Sequence, residues 1–228
     1  MKADFGNIGG IKLDASAFSG KPARINQRYV MPKRHKPVPL HKVKYDNAAQ
    51  MAKDMAADIA GGETVVAVLS GNFIFGDIFE AFAYETGMPI DELTISTLSF
   101  SDENVVSLSE MLKADKIGTL NIVISDYFWS HNRADASYIY EKLDIGDRFQ
   151  LAVAGIHTKI ALIRAGRRKI VVSGSANLRS SRSIEAVTFE PSDGLYDFHH
   201  EWHMALISEY ATINKSVRAG AAFAAIGG

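Results

Sequence analysis

Between residues 63 and 143 the sequence alternates short runs rich in apolar residues with longer amphipathic stretches, and this alternation limits the possible folds more than any other feature. Short runs rich in apolar residues are typical of buried strands, and amphipathic stretches are typical of helices that cover a sheet. Strands that alternate with helices form parallel or mixed sheets. The sequence therefore predicts an α/β fold with a mixed β-sheet flanked by helices.

The individual elements can be assigned from periodicity and breaker residues. Helices are predicted over residues 47–60, 75–86, 104–116, 135–143 and 196–211. Strands are predicted over residues 63–70, 93–100, 119–126, 149–154, 156–163, 169–173 and 185–189. The loops after three of these strands, 71–77, 99–101 and 126–132, are expected at the sheet edge where α/β proteins collect ligands. Their aromatic side chains either contact a substrate or cover the core.

Positive charge is concentrated near the N-terminus. Residues 21–44 contain eight Lys/Arg and no Asp/Glu, whereas the chain from residue 45 has fifteen Lys/Arg and twenty-four Asp/Glu. Four prolines in the same stretch disfavour helix and central strand. We therefore expect an extended basic arm over residues 1–44, a domain over 45–215 and a small-residue tail over 216–228. The arm either binds a polyanion, remains a solvated tail or wraps a second subunit; its candidate nucleic-acid contacts are Arg24, Arg28, Lys33, Arg34, Lys36, Lys42 and Lys44.

Several classes of site and location are disfavoured by composition. The chain has no cysteine, which fits a cytoplasmic protein and excludes thiolate metal sites. It has no apolar run long enough to span a membrane and no apolar segment typical of an export signal. His199 and His203 could share a helix face, but no metal-protease pattern or third ligand accompanies them. They are predicted to be surface or interface histidines, and no metal or cofactor is expected.

The strongest chemical signal is His157-Thr158-Lys159, followed by the run Gly174–Asn177. In a strand over 156–163, His157 and Lys159 would project from the same face. A hairpin through Ala165 and Gly166 would return the second run beside them. Glycine permits close backbone approach to a ligand, while serine and asparagine can donate to phosphate oxygens. An imidazole and an ammonium group complete a site suited to attack on a phosphodiester.

These residues resemble the signature of the phospholipase D superfamily, H-x-K-x4-D followed by G-S-x-N. The resemblance implies a phospholipase D-like fold and a catalytic set of His157, Lys159, Ser175, Asn177 and Glu185. Within it, Glu185 would hydrogen-bond the catalytic histidine. Arg164 replaces the motif aspartate, and the spacer from there to the glycine is nine residues instead of six. The family mechanism uses no metal and two histidines, one of which forms a phosphohistidine. A chain with one motif is therefore expected to act as a homodimer.

Basic residues also cluster around the motif. Seven of the fifteen Lys/Arg beyond residue 44 lie between residues 159 and 182, which predicts a positively charged centre that attracts a phosphate backbone. The candidate substrate-binding residues are Gly174, Arg164, Arg167, Arg168, Lys169 and Arg179. The favoured function is a metal-independent nuclease or other phosphodiesterase. The alternatives are a nucleic-acid-binding protein with a degenerate centre, and a hydrolase of phospholipids or small phosphodiesters.

Overall fold

The computed structural model describes residues 40–69, 76–131, 133–178 and 184–213 of the chain. Its helices are α1 (Leu40–Gly61), α2 (Gly76–Glu85), α3 (Asp102–Lys113), α4 (Asp126–His131), α5 (Arg133–Leu143) and α6 (Asp193–Tyr210). Its strands are β1 (Val65–Leu69), β2 (Ile90–Thr97), β3 (Ile117–Ser125), β4 (Phe149–Ala154), β5 (Ile160–Ala165), β6 (Arg168–Gly174) and β7 (Glu185–Pro191).

The described strands form a seven-stranded sheet in the order β1-β7-β6-β5-β2-β3-β4. Strands β2, β3 and β4 run parallel to one another. All other neighbours are antiparallel, including β5 with β2 and the β5–β6 hairpin. The predicted α/β class, with a mixed sheet flanked by helices, is confirmed.

Both faces of the sheet are covered, and β5 shows how. Ala161 and Ile163 face the main core, which also contains residues of α1, α2, α3 and α5. Leu162, between them, packs with Val171 and Tyr196 under α6 on the opposite face. Successive side chains of a strand point to opposite faces. Strands covered on both sides therefore carry apolar residues on both faces, as Ala161, Leu162 and Ile163 do in succession.

The N-terminal arm was predicted to extend to residue 44, but the structure has a helix from residue 40. This helix, α1, begins at Leu40, directly after Pro39. No proline follows until after α1, so no residue of this type interrupts the helix. Lys42 and Lys44 therefore belong to a helix rather than to an extended segment. The other candidate arm contacts, Arg24, Arg28, Lys33, Arg34 and Lys36, lie outside the described residues, as does the tail over 216–228.

The remaining elements agree with the sequence to within a few residues, with two exceptions. Strand β4 spans residues 149–154, as predicted. The strand expected over 156–163 instead begins at Ile160, and the loop expected over 126–132 contains helix α4. In the described part of the chain, no helix combines the length and the apolar character that crossing a membrane requires.

Candidate active site

The candidate catalytic residues lie at one edge of the sheet, called here the site edge. It is formed by the carboxyl ends of β2, β3, β4 and β6 and by the first residues of β5 and β7. In the β5–β6 hairpin Ile160 pairs with Ser173, so Gly174 returns to the edge from which β5 starts. The predicted hairpin is confirmed in this respect.

His157 and Lys159 lie in the segment 155–159, which connects β4 to β5 at the site edge. The expectation that they project from a strand is wrong. Three inter-strand spacings separate β4 from β5, roughly 14 Å. Six residue steps of extended chain reach roughly 20 Å, so most of the segment is used to cross the ends of β3 and β2. The length that remains, roughly 6 Å, is too short for the segment to pair as a strand.

The crossing segment is anchored to the sheet on either side of His157. The backbone amide of Ile156 donates to the carbonyl of Ala154 at 2.8 Å. The Thr158 hydroxyl donates to the Ser96 hydroxyl at 3.0 Å. His157 is exposed, and nothing in the described part of the chain hydrogen-bonds its imidazole. Lys159 Nζ lies 3.4 Å from the His157 carbonyl oxygen. The histidine thus has a fixed backbone and a side chain that is open to a ligand.

Ser175 is held by β7 directly after the end of β6. Its amide donates to the Ala186 carbonyl at 2.9 Å, and its hydroxyl accepts from the Ala186 amide at 3.0 Å. The same hydroxyl donates to Glu185 Oε2 at 2.5 Å. Glu185 was expected to hydrogen-bond His157, but within this chain its carboxylate accepts from Ser175 instead. The hydroxyl proton of Ser175 is therefore already used, and a ligand phosphate would have to compete for it.

Asn177 is oriented by the carboxyl end of β2. Its side-chain oxygen accepts from the Leu98 amide at 3.3 Å. The next amide, of Leu178, donates to the Thr97 hydroxyl at 3.1 Å, and that hydroxyl donates to the Ser99 carbonyl at 2.8 Å. With its oxygen engaged, the side chain of Asn177 presents its NH₂ group, which has no partner within the described ranges. Phosphate oxygens accept hydrogen bonds from such a group.

Thr97 was missed by the sequence reasoning, although it fixes the loop that carries Asn177. Its side chain is 1% exposed. The available signal was the set of small polar residues Thr94, Ser96 and Thr97 that alternates with Leu93 and Ile95 near the end of the strand. Buried hydroxyls have hydrogen-bond partners, so this pattern indicates a polar attachment near the strand end.

The basic hairpin does not lie at the candidate centre. Because β5 starts at the site edge, its turn at Gly166 and Arg167 lies at the opposite edge, roughly 20 Å away at 3.3 Å per residue. Arg167 and Arg168 are exposed there. Lys169 Nζ bonds Asp197 Oδ1 at 2.5 Å. The prediction that these hairpin residues give the active centre its positive charge is therefore wrong. Arg179 lies outside the described residues.

Arg164, at the position of the motif aspartate, belongs to a separate polar network under α6. Its guanidinium lies 3.1 Å from Glu92 Oε2, and His200 Nε2 lies 2.8 Å from Glu92 Oε1. Burial alone would raise the pKa of Glu92, but hydrogen bonds from Arg164 and His200 outweigh burial and hold that pKa below its usual value. The pKa of Arg164 is raised, chiefly by the hydrogen bond to Glu92. Substrate contact by Arg164 would require breaking this network.

The histidines of α6 form no metal site. His203 is fully buried, so its assignment as a surface or interface residue is wrong. Its Nδ1 donates to the His199 carbonyl at 2.7 Å, and its ring stacks on Trp202 at 3.6 Å. Burial lowers the pKa of His203 to about 4. Throughout the described ranges, no three His, Cys, Asp or Glu side chains are grouped so that they could hold a metal ion.

The aromatic residues at the site edge divide into core and surface. Phe100 is 8% exposed and contacts Phe128 edge-to-face, with ring centroids 4.9 Å apart. Trp129 contacts Tyr140 in the same way, at 6.4 Å. Tyr127, the first residue after Asp126 in α4, is 66% exposed. The aromatic residues of the loop 71–75 lie outside the described residues.

Comparison with known proteins gives matches in structure only. No protein-family model and no curated protein matches the chain. The chain is similar to Nuc from Salmonella typhimurium, a phospholipase D family member, at 17% identity and a TM-score of 0.45, over 63% of this chain and 94% of Nuc. It is similar to NucT from Helicobacter pylori at 12% identity and a TM-score of 0.45, over 65% of this chain and 98% of NucT. Similarity to the phosphatidylserine synthase of Haemophilus influenzae Rd KW20, at 12% identity and a TM-score of 0.46, covers 67% of this chain and 40% of the synthase.

Proposed function

We propose that this chain is a metal-independent phosphodiesterase of the phospholipase D type and that it acts as a nuclease. The observation that carries the proposal is the arrangement at the site edge. The crossing segment before β5 supplies an open imidazole and an ammonium group through His157 and Lys159, and the loop after β6 supplies a side-chain NH₂ group through Asn177. The hydrogen bonds of Arg164 do not create this arrangement, because they lie under α6 and not at the site edge.

In the proposed reaction a nitrogen of His157 attacks phosphorus. The bond from phosphorus to the leaving oxygen breaks as the nitrogen–phosphorus bond forms, and a second histidine protonates the leaving oxygen. Water then attacks phosphorus, gives its proton to the second histidine and releases His157. Lys159 and the NH₂ group of Asn177 stabilise the negative charge on the non-bridging oxygens. Ser175, held by Glu185, fixes the backbone between β6 and β7.

The second histidine is proposed to be His157 of a second copy of the chain. One motif per chain supplies one such histidine, and a two-fold axis at the site edge would place two copies face to face. Light scattering at micromolar concentration tests this directly. A monomer that retains full activity would refute the dimeric mechanism.

A nucleic-acid-binding protein with a degenerate centre remains the second candidate, because Arg164 replaces the motif aspartate. Arg164 lies four residues along β5 from Ile160, roughly 13 Å from the site edge, and is engaged with Glu92. Arginine at this position therefore affects contacts under α6 and does not displace His157, Lys159 or Asn177. This position favours retained catalysis over a binding role alone.

The decisive experiment is incubation of the protein with labelled single- and double-stranded DNA and RNA in excess EDTA. We expect cleavage in EDTA, and its loss in His157→Ala and in Lys159→Ala. Lys113→Ala is the matched control, since Lys113 is an exposed lysine of α3 paired with Glu110. Circular dichroism and unfolding midpoints establish that the variants are folded.

The outcomes separate the candidate functions. Cleavage that persists in His157→Ala would place the chemistry elsewhere and refute the proposal. Tight binding of nucleic acid without cleavage would support the degenerate centre. Hydrolysis of phospholipid vesicles or of bis(p-nitrophenyl) phosphate, with no cleavage of any nucleic acid, would support phosphodiesterase activity and refute nuclease activity.

A further inference from the structure

Tyr127 is an exposed aromatic side chain that no part of the proposed chemistry uses. It follows the carboxyl end of β3 at the site edge and is 66% exposed, while the neighbouring Phe128 and Trp129 are partly buried against the core. Single exposed aromatic residues are normal on protein surfaces, so exposure alone does not indicate a function. The position of this ring beside the candidate active site is what suggests one.

The backbone of Tyr127 is fixed by two hydrogen bonds, and its ring contacts the ring of His131. Its amide donates to Asp126 Oδ1 at 2.6 Å, and its carbonyl accepts from His131 Nδ1 at 2.7 Å. The His131 ring packs against the tyrosine ring, with centroids 4.4 Å apart and planes inclined by 35°. Because this geometry exists before any ligand arrives, little conformational entropy is lost when a ligand stacks on the ring.

The start of α4, which carries Tyr127, is close to the candidate centre. A Cβ placed on Gly155 would lie 3.6 Å from Asp126 Oδ2, so the crossing segment passes directly beside the start of α4. His157 is two residues farther along that segment, at most about 7 Å of extended chain. The carboxylate of Asp126 disfavours a second phosphate beside Tyr127. The surroundings of the ring thus suit the uncharged part of a nucleotide rather than its phosphate.

We propose that Tyr127, supported by His131, is a stacking platform for a nucleobase adjacent to the scissile phosphate. The proposal rests on the proposed nuclease function, and it identifies the class of substrate as single-stranded nucleic acid. Only unpaired bases offer a free face to an aromatic ring, and every base has such a face, so recognition is independent of sequence. Duplex substrates would have to expose a base before they could use this surface.

The test compares single-stranded oligo-dT with an oligonucleotide of equal length in which the bases are replaced by abasic residues. Affinity is measured by fluorescence anisotropy and cleavage by KM and kcat in EDTA. We expect Tyr127→Ala to weaken binding of oligo-dT roughly 5- to 150-fold, the range of one base–aromatic stack, and to remove most of the preference for oligo-dT over the abasic strand. Tyr127→Phe should retain the preference, because the ring remains.

Tyr84→Ala is the matched control. Tyr84 is 44% exposed on α2, and its ring lies under Lys116, directly before β3 at the edge opposite the site edge. Its replacement should leave the preference for oligo-dT unchanged. Equal losses on both strands in Tyr127→Ala, or no loss on either, would overturn the platform. Dissociation of the dimer with an unchanged preference would overturn it as well, by identifying Tyr127 as a subunit contact.

Failure of this inference and failure of the nuclease proposal give different results. If the wild-type protein binds oligo-dT and cleaves nothing, the nuclease proposal fails, and the anisotropy comparison still decides whether Tyr127 stacks on bases. If cleavage is present and the base preference does not depend on Tyr127, only the platform is wrong. A wild-type protein that neither binds nor cleaves the oligonucleotides contradicts both.

Discussion

Replacing Gly174 by alanine tests how closely the last residue of β6 approaches β7. A Cβ at this position would lie 2.1 Å from the Ala186 carbonyl oxygen and 2.9 Å from Val187 Cα. Both are backbone atoms, so no side-chain rotation can relieve the clash. The two strands would have to separate locally, and inserted methyl groups in packed sites typically cost about 1–3 kcal/mol. We expect Gly174→Ala to lower the free energy of unfolding by that amount.

The same substitution should impair the site. The Ser175 amide bonds the Ala186 carbonyl at 2.9 Å, directly where the strands would move apart. A displacement of about 1 Å in a catalytic group can cost roughly 100-fold in rate. Urea unfolding monitored by circular dichroism gives the stability, and kcat on a labelled oligonucleotide or on bis(p-nitrophenyl) phosphate gives the activity. Both quantities should fall together in Gly174→Ala.

Gly194→Ala is the control, because a Cβ on Gly194 meets no atom within 4 Å and the residue lies in the first turn of α6. It should leave activity unchanged and alter stability by less than about 1 kcal/mol, in the stabilising direction. If Gly174→Ala is as stable as the wild type, the packing explanation is refuted. Wild-type stability with lost activity would indicate instead that the glycine admits a ligand.

Three further predictions concern polar groups away from the crossing segment. Because burial lowers the pKa of His203 from 6.5 to about 4, the unfolded chain binds more protons between those values, so stability falls as the pH falls through that window. His203 should lower the free energy of unfolding by roughly 2 kcal/mol between pH 7.5 and pH 5. In a series of urea midpoints measured over this pH range, His203→Leu should reduce the dependence on pH. An unchanged dependence would contradict the lowered pKa of His203. Glu185→Gln keeps an acceptor for Ser175 and should cost less than about tenfold in kcat, whereas a loss of roughly 10²–10⁴ would indicate that Glu185 acts on a histidine. Arg164→Asp, which recreates the motif aspartate, should destabilise the fold by about 2 kcal/mol because it removes a hydrogen bond to charged Glu92 and adds a like charge; an unchanged midpoint would contradict the network.

The fold class was predictable because the local sequence patterns of most helices and strands match the elements that the structure contains. Strand β4 was predicted residue for residue, and the hairpin of β5 and β6 was predicted from apolar runs around Gly166. The start of β5 was wrong for a non-local reason. Ile156 fits the alternating pattern of a strand, but the distance from β4 to β5 requires an extended crossing there. Sheet order sets that distance, and the sequence pattern does not encode it.

The placement of the candidate site residues at one sheet edge was only partly predictable. The spacing of the motif identified His157, Lys159 and Asn177, which the structure brings to one edge. Clustering in sequence was mistaken for clustering in space for Arg167 and Arg168, because a hairpin carries its turn away from its ends. The partner of Glu185 was also beyond sequence reasoning, since it depends on how β7 is aligned against β6.

The hydrogen bonds that build the site edge join residues far apart in the chain. Asn177 bonds Leu98 across 79 residues, Leu178 bonds Thr97 across 81, and Thr158 bonds Ser96 across 62. Contacts of such separation form late in folding, since the loop-closure entropy must be overcome first. A nascent chain whose β6 is still inside the ribosome has therefore not assembled the contacts of Asn177 and Leu178. On refolding from urea, assembly of the site edge should therefore lag behind recovery of the helical signal.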